Sequence, residues 1–102
     1  MHARVTHYHI LPGKLREFQA ASDSVIPLIR RQQGFRALVV LKIAESPNPQ
    51  VTIVSMWDSF DDLKNSEKNM FLYQAISRVL GFCQGFPTIR EHEVLVSEFA
   101  AD

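Results

Sequence analysis

Apolar residues along the chain switch between alternating spacing and spacing at three and four, and the switches lay out the elements. "ARVTHYHI" (Ala3 to Ile10) is rich in β-branched and aromatic residues and predicts a strand, ended by Pro12-Gly13. Leu15, Phe18, Ser22, Val25, Ile26 and Ile29 then follow at spacings of three and four, the stripe of an amphipathic helix. Pro27 removes one backbone hydrogen bond, which predicts a kink between Asp23 and Pro27, and Gly34 is placed to stop the helix. "FRALVVLKIAE" (Phe35 to Glu45) and "VTIVSMWD" (Val51 to Asp58) predict two more strands. The turn "SPNPQ" (Ser46 to Gln50) between them makes the pair a hairpin. Ser59 followed by Asp62 resembles a capping box, and Ser66 offers a second helical start. Leu72, Ala75, Ile76, Val79, Leu80 and Cys83 trace a second helical stripe. "GFPT" (Gly85 to Thr88) breaks it, and "IREHEVLVSEF" (Ile89 to Phe99) predicts a fourth strand. Strand, helix, strand, strand, helix, strand is the order of a ferredoxin-like α+β fold with a four-stranded antiparallel sheet.

The faces of the middle strands add a second expectation. Helices cover one face of such a sheet, and a face meeting water would be polar. The second predicted strand carries Ala37, Val39, Leu41 and Ile43 on one face and Leu38 and Val40 on the other. The third carries Ile53 and Trp57 against Val54 and Met56. Both faces are apolar. Leaving three or four such side chains in water would forgo about 1.5–3 kcal/mol each, in a patch that monomers rarely expose. A second copy packed sheet to sheet is the expected cover, giving a two-fold homodimer.

Composition narrows the classes of function. At 102 residues the chain is expected to form one domain, residues 1–102, large enough for a packed core. Eleven basic and eleven acidic residues cancel, so no net field draws nucleic acid or an anionic membrane. The sole cysteine, Cys83, has no internal disulfide partner, which suits a reducing compartment. The first ten residues lack the apolar core of a signal peptide, and no apolar run approaches the roughly 18 residues that span a bilayer. A cytoplasmic location is the expectation.

Candidate chemistry is sparse. Trp57, the sole tryptophan, stands where a strand meets a helix start, a place for burial against a helix or for a pocket wall. His7 and His9 share one strand face, and His92 on the neighbouring strand could join them around a transition metal. The competing expectation, which we favour, is that these histidines satisfy hydrogen bonds at a dimer interface, with no metal. Cys83 continues an apolar stripe and is expected to be an inert packed thiol. Phe71 and Tyr73 flank that stripe as helix-to-sheet packing, with Phe71 also a candidate pocket wall. Asp61-Asp62 suits the first turn of a helix rather than a catalytic pair. Phosphate-loop, zinc-hydrolase and nucleophile-elbow signatures are absent.

Four stretches, "HILPGKLREF", "IRRQQGFRALVVLK", "TIVSMWDSFDDLKNSE" and "GFPTIREHEVL", resemble the antibiotic biosynthesis monooxygenase domain family. The shared marks are the Pro-Gly turn into the first helix, the Gly-Phe entry to the second strand and the Trp-x-Ser end of the third. The resemblance implies a dimeric α+β barrel with one pocket per protomer between sheet and helices, walled by the tryptophan. In the family's haem-degrading branch an asparagine and a haem-ligating histidine accompany that tryptophan. Their positions fall here on Thr6 and near Ala75, and alanine cannot ligate iron. In the polyketide-oxygenase branch an asparagine, the tryptophan and an arginine fall on Ile53, Trp57 and within one residue of Arg78. What the resemblance implies is a cofactor-independent monooxygenase of an aromatic or quinol-type molecule. Trp57 and Arg78 would be catalytic, and Thr6, Tyr8 and Phe71 would contact the ligand, with Arg78 or Tyr8 holding an anion. A non-catalytic ligand-binding or stress-related dimer is the rival expectation on the same scaffold, and a metal-binding protein trails both.

Overall fold

The structure is a computed structural model describing residues 1–43 and 48–100. The end of the second predicted strand and the start of the Ser46 to Gln50 turn fall on residues 44–47, outside the described residues. Strand β1 spans His2–His9, followed by helices α1 (Leu15–Asp23) and α2 (Ile26–Ile29). Strands β2 (Phe35–Lys42) and β3 (Gln50–Trp57) come next, then helices α3 (Phe60–Lys68) and α4 (Phe71–Val79) and strand β4 (Thr88–Glu93). The four strands form one antiparallel sheet in the order β2-β3-β1-β4. The ferredoxin-like α+β expectation holds.

Register decides which side chains meet the helices. Thr6 lies opposite Ile53 and Tyr8 opposite Val51 across β1 and β3, while Leu38 lies opposite Ser55 and Phe35 opposite Trp57 across β2 and β3. Since strand side chains alternate, Arg4, Thr6, Tyr8, Ile53, Ser55 and Trp57 share the helix-covered face. Two packed clusters fill the space beneath the helices. Tyr8, Ile10, Phe18, Val51, Val79 and Cys83 form one; Ile29, Trp57, Leu63 and Phe71 form the other. On the opposite face Val39, Leu41 and Ile43 are 47%, 50% and 47% exposed. No helix covers them.

Several local details depart from the expected pattern. Pro27 does more than kink the first helix. The chain turns at Ser24 and Val25, and a separate short helix begins with Pro27 near its N-terminus, where a missing N–H costs nothing. Gly34, at φ +78°, turns the chain into β2 five residues beyond the end of α2. Ser59 caps α3, accepting from the Asp62 amide at 3.1 Å and donating to its carboxylate at 2.9 Å. Ser66 starts no helix. It is buried inside α3, with its hydroxyl donating to the Leu63 carbonyl at 2.6 Å. The break comes at Asn69 and Met70, where Met70 takes a left-handed conformation and the Asn69 side chain accepts from the Phe71 amide at 3.0 Å. Tyr73 points outward, because the inward stripe of α4 is Phe71, Leu72, Ile76 and Val79.

Strand β4 is shorter than the apolar run that predicted it. It pairs only with β1, and the last bond of that edge runs from the Val94 amide to the Met1 carbonyl at 3.0 Å. Beyond it Leu95, Val96 and Phe99 leave the ladder and stand 88%, 83% and 70% exposed. Among the described residues no helix is long and apolar enough to cross a membrane.

Candidate functional site

A cavity of about 60 Å³ lies at the seam of the two core clusters, between the helix-covered sheet face and helices α1, α2 and α4. Its walls on the helix side are apolar apart from Ser22 of α1, with Val25, Ile29, Phe71, Leu72, Ala75 and Val79. The sheet contributes Thr6, Tyr8, Ile53 and Ser55, and one charged residue, Arg4. Thr6, Tyr8 and Phe71, three of the five residues expected at a ligand site, are thus brought together.

Trp57 is fully buried one step behind this wall. Its indole N–H donates to the Ser55 hydroxyl at 3.0 Å, and Phe35 packs edge-on against its ring at 5.9 Å. Trp57 therefore reaches the cavity through Ser55. Arg78 lies outside the cavity wall, on the exposed side of α4. Its guanidinium donates to the Ser24 carbonyl at 3.2 Å and to the Ser24 hydroxyl at 2.9 Å, which ties α4 to the break between α1 and α2.

Tyr8 packs edge-on against Phe18 at 5.1 Å. Burial, reinforced by Cys83, pushes its phenol well above the ordinary range, so Tyr8 enters any chemistry at neutral pH as a neutral donor. Burial likewise raises the Cys83 thiol, which donates to the Val79 carbonyl at 3.3 Å within the core.

Arg4 is the residue that sequence reasoning passed over. It is 2% exposed, and one guanidinium nitrogen donates to the Leu63 carbonyl and the Ser66 hydroxyl, each at 2.9 Å. Glu67 stands 3.5 Å from the same nitrogen. The guanidinium lies over the Trp57 ring, 5.7 Å from its centroid. Its Nε–H is buried with no acceptor among the described residues. Burial lowers the Arg4 pKa, and Glu67 and Glu91 pull the other way. A signal was available in the chain: Arg4 stands two and four residues before Thr6 and Tyr8, on the same parity of a central strand.

The histidine face behaves differently from a metal site. His7 bonds Thr52 through Nδ1 at 2.8 Å and Gln50 through Nε2 at 2.9 Å, both on the adjacent strand. His9 packs edge-on against it at 5.0 Å, but His92 lies opposite Ala3, four residues along from His7. Among the described residues no group of three or more His, Cys, Asp or Glu is placed to hold an ion.

The same architecture recurs in solved structures of low sequence identity. A protein of unknown function from Nitrosomonas europaea superposes with a TM-score of 0.77 at 17% identity, covering 99% of this chain and 95% of its own. A conserved protein from Methanosarcina mazei Go1 gives 0.74 at 17%, covering 90% and 91%. SnoaB, a cofactor-independent oxygenase from Streptomyces nogalater, gives 0.73 at 14%, covering 94% and 95%. At these identities the likeness is one of fold. No curated protein matches the sequence. Residues 1–70, well over half of the chain, match the family model for antibiotic biosynthesis monooxygenase, and the chain belongs to that family.

Proposed function

We propose that the chain is a cofactor-independent monooxygenase acting on an aromatic or quinol-type molecule in the cavity between sheet and helices. The observation that carries this reading is the cavity itself, mostly apolar on the helix side with Arg4, Thr6, Tyr8 and Ser55 on the sheet side. SnoaB, on the same fold, is a cofactor-independent oxygenase. An apolar pocket with a few convergent polar groups suits a flat, weakly acidic substrate. In such chemistry the substrate loses a proton to give a delocalised carbanion, which supplies electrons to dioxygen. A ring methylene then becomes a carbonyl: the carbon gains one oxygen atom and gives up four electrons. The second oxygen atom leaves as water with the two hydrogens. The protein's part is to hold the anion with preorganised donors and to exclude water. Tyr8 and Thr6 supply neutral donors, Phe71 stacks on the ring, and Trp57 orients Ser55 from behind. Arg78 acts at the rim, by fixing the helix break beside the cavity.

The cavity, roughly 60 Å³, is smaller than the roughly 150 Å³ of an apolar cavity that admits benzene, so an aromatic ligand requires its walls to widen. The exposed Val39, Leu41 and Ile43 support a homodimer closed through the outer sheet faces. Oxygen uptake with a panel of hydroquinones and anthrones tests the enzyme reading; turnover that falls at least tenfold in Tyr8→Phe supports it, and no uptake with any member refutes it. A non-catalytic binding protein is the second reading. It is favoured by one observation: Ile53 and Ala75, at positions where enzymes of the family carry working residues, line the cavity here as apolar groups.

A further inference from the structure

A buried arginine on a cavity wall constrains what the cavity can hold. Arg4 satisfies one guanidinium nitrogen on α3, through Leu63 and Ser66, and leaves Nε–H without an acceptor. A buried donor with no partner costs stability comparable to a lost hydrogen bond, and a charged donor more. Glu67 compensates the charge only from 3.5 Å and is itself partly in solvent. Its carboxylate is further shared with Lys64, which also holds Glu91 at 2.7 Å. Among the other residues lining the cavity there is no carboxylate to balance its charge. A ligand that brings an oxyanion supplies the missing acceptor and a nearby charge at once.

We infer that Arg4 is an anion-anchoring residue of the cavity, and that the ligand is an aromatic compound bearing an acidic oxygen, a carboxylate or a phenolate, that accepts from Arg4 Nε–H. This rests on the cavity being the ligand site and specifies the class of molecule it takes. The guanidinium is held on its other side by Leu63, Ser66 and the Trp57 ring, so it is preorganised and loses little freedom on binding. The acidic oxygen would lie at the Arg4 end of the cavity, with the ring toward Phe71 and Ala75.

Benzoate and benzamide test this, because they share ring and shape and differ at one group. Any cost of widening the cavity cancels in their ratio. Both are titrated at neutral pH into the full chain, with the indole N–H resonance of Trp57 as the readout. That side chain is the sole tryptophan and lies against Arg4. Benzoate is expected to bind about tenfold or more tighter than benzamide, the ratio that one charge-assisted hydrogen bond supplies. In Arg4→Met the ratio should fall below about twofold. Equal affinities in the wild-type chain overturn the inference, as does a Trp57 resonance that neither compound moves. A ratio that survives in a folded Arg4→Met chain overturns it as well. The wild-type comparison decides alone if Arg4→Met does not fold. A strong benzoate preference with no oxygen uptake from any quinol would refute the oxygenase reading and leave the anion site standing. Oxygen uptake with no preference would do the reverse.

Discussion

The Arg4 guanidinium lies 5.7 Å from the centroid of the Trp57 ring, joining the one charged residue of the cavity wall to the largest side chain of the core behind it. The pair couples stability to the site. Trp57 also donates to Ser55, so its ring is held from two directions.

The Trp57–Ser55 bond is open to a double-mutant cycle. Ser55→Ala leaves a buried indole N–H without an acceptor, at an expected cost of about 1–3 kcal/mol. Trp57→Phe removes the donor and thins the packing, at about 1–3 kcal/mol. The double variant is expected to be less destabilised than the sum, with a coupling of about 1 kcal/mol in chemical denaturation. Additive losses would show that the bond contributes nothing.

Gly34 couples the entry to β2 with the cap of α3. Its φ is +78°, and a Cβ there would lie 2.2 Å from an Asp62 carboxylate oxygen. Gly34→Ala is expected to destabilise by about 2–4 kcal/mol, from left-handed strain and displacement of the capping Asp62. Adding Asp62→Ala to that variant should recover only the part of the loss that comes from the carboxylate, since the Asp62 Cβ also meets the added methyl and the strain and the lost cap remain. Thermal melts of both variants check the order.

Acid should release the Lys64–Glu91 pair. Burial pushes the Glu91 carboxyl up, but the hydrogen bond from Lys64 and the positive charges of Lys64 and Arg4 outweigh it, and the net pKa lies below the ordinary value of 4.5. A carboxyl whose folded pKa is depressed stabilises above its unfolded pKa, and that stability is lost as pH falls through the folded value. The stability gap between wild type and Glu91→Gln should therefore be present at pH 7, at about 0.5–1 kcal/mol for a partly exposed pair. It should shrink as pH falls below the ordinary carboxyl range and close once pH passes below the folded value. Urea melts at pH 7 and in acid read it; a gap that widens in acid contradicts the assignment.

Cys83 should resist alkylation. Burial raises its thiol pKa, and only the thiolate reacts. Iodoacetamide labelling at pH 7 is expected to proceed at the rate of global opening and to become fast in denaturant. Rapid labelling of the native chain would place the thiol outside the core.

The outer sheet face carries the dimer proposal. Leu41→Asp puts a charge among Val39 and Ile43 without touching the helix-covered core. Sedimentation should move from about twice the chain mass of 11.7 kDa to a single chain, with the far-ultraviolet spectrum retained. A wild-type chain that sediments as a monomer at micromolar concentration would end the proposal.

Local chemistry alone determined the order of elements. Alternation along Ala3 to Ile10 and Val51 to Asp58, the stripe of Leu72 to Val79 and the Ser59 cap each act within a few residues, and each is present in the fold. Thr6, Tyr8 and Phe71, named from the family resemblance and the helical stripe, line one cavity. Whatever depends on a partner distant in sequence was decided by tertiary structure. Strand β4 keeps its pairing with β1 only to Glu93, although its apolar run continues to Phe99. Arg78 is drawn to Ser24, 54 positions away, and so lies outside the cavity that its place on α4 suggested. Arg4 is buried because α3 offers it acceptors some sixty residues later in the chain, at Leu63 and Ser66. A charge in a core is tolerated only when remote groups compensate it, so its burial became visible only when the helix was packed against the sheet.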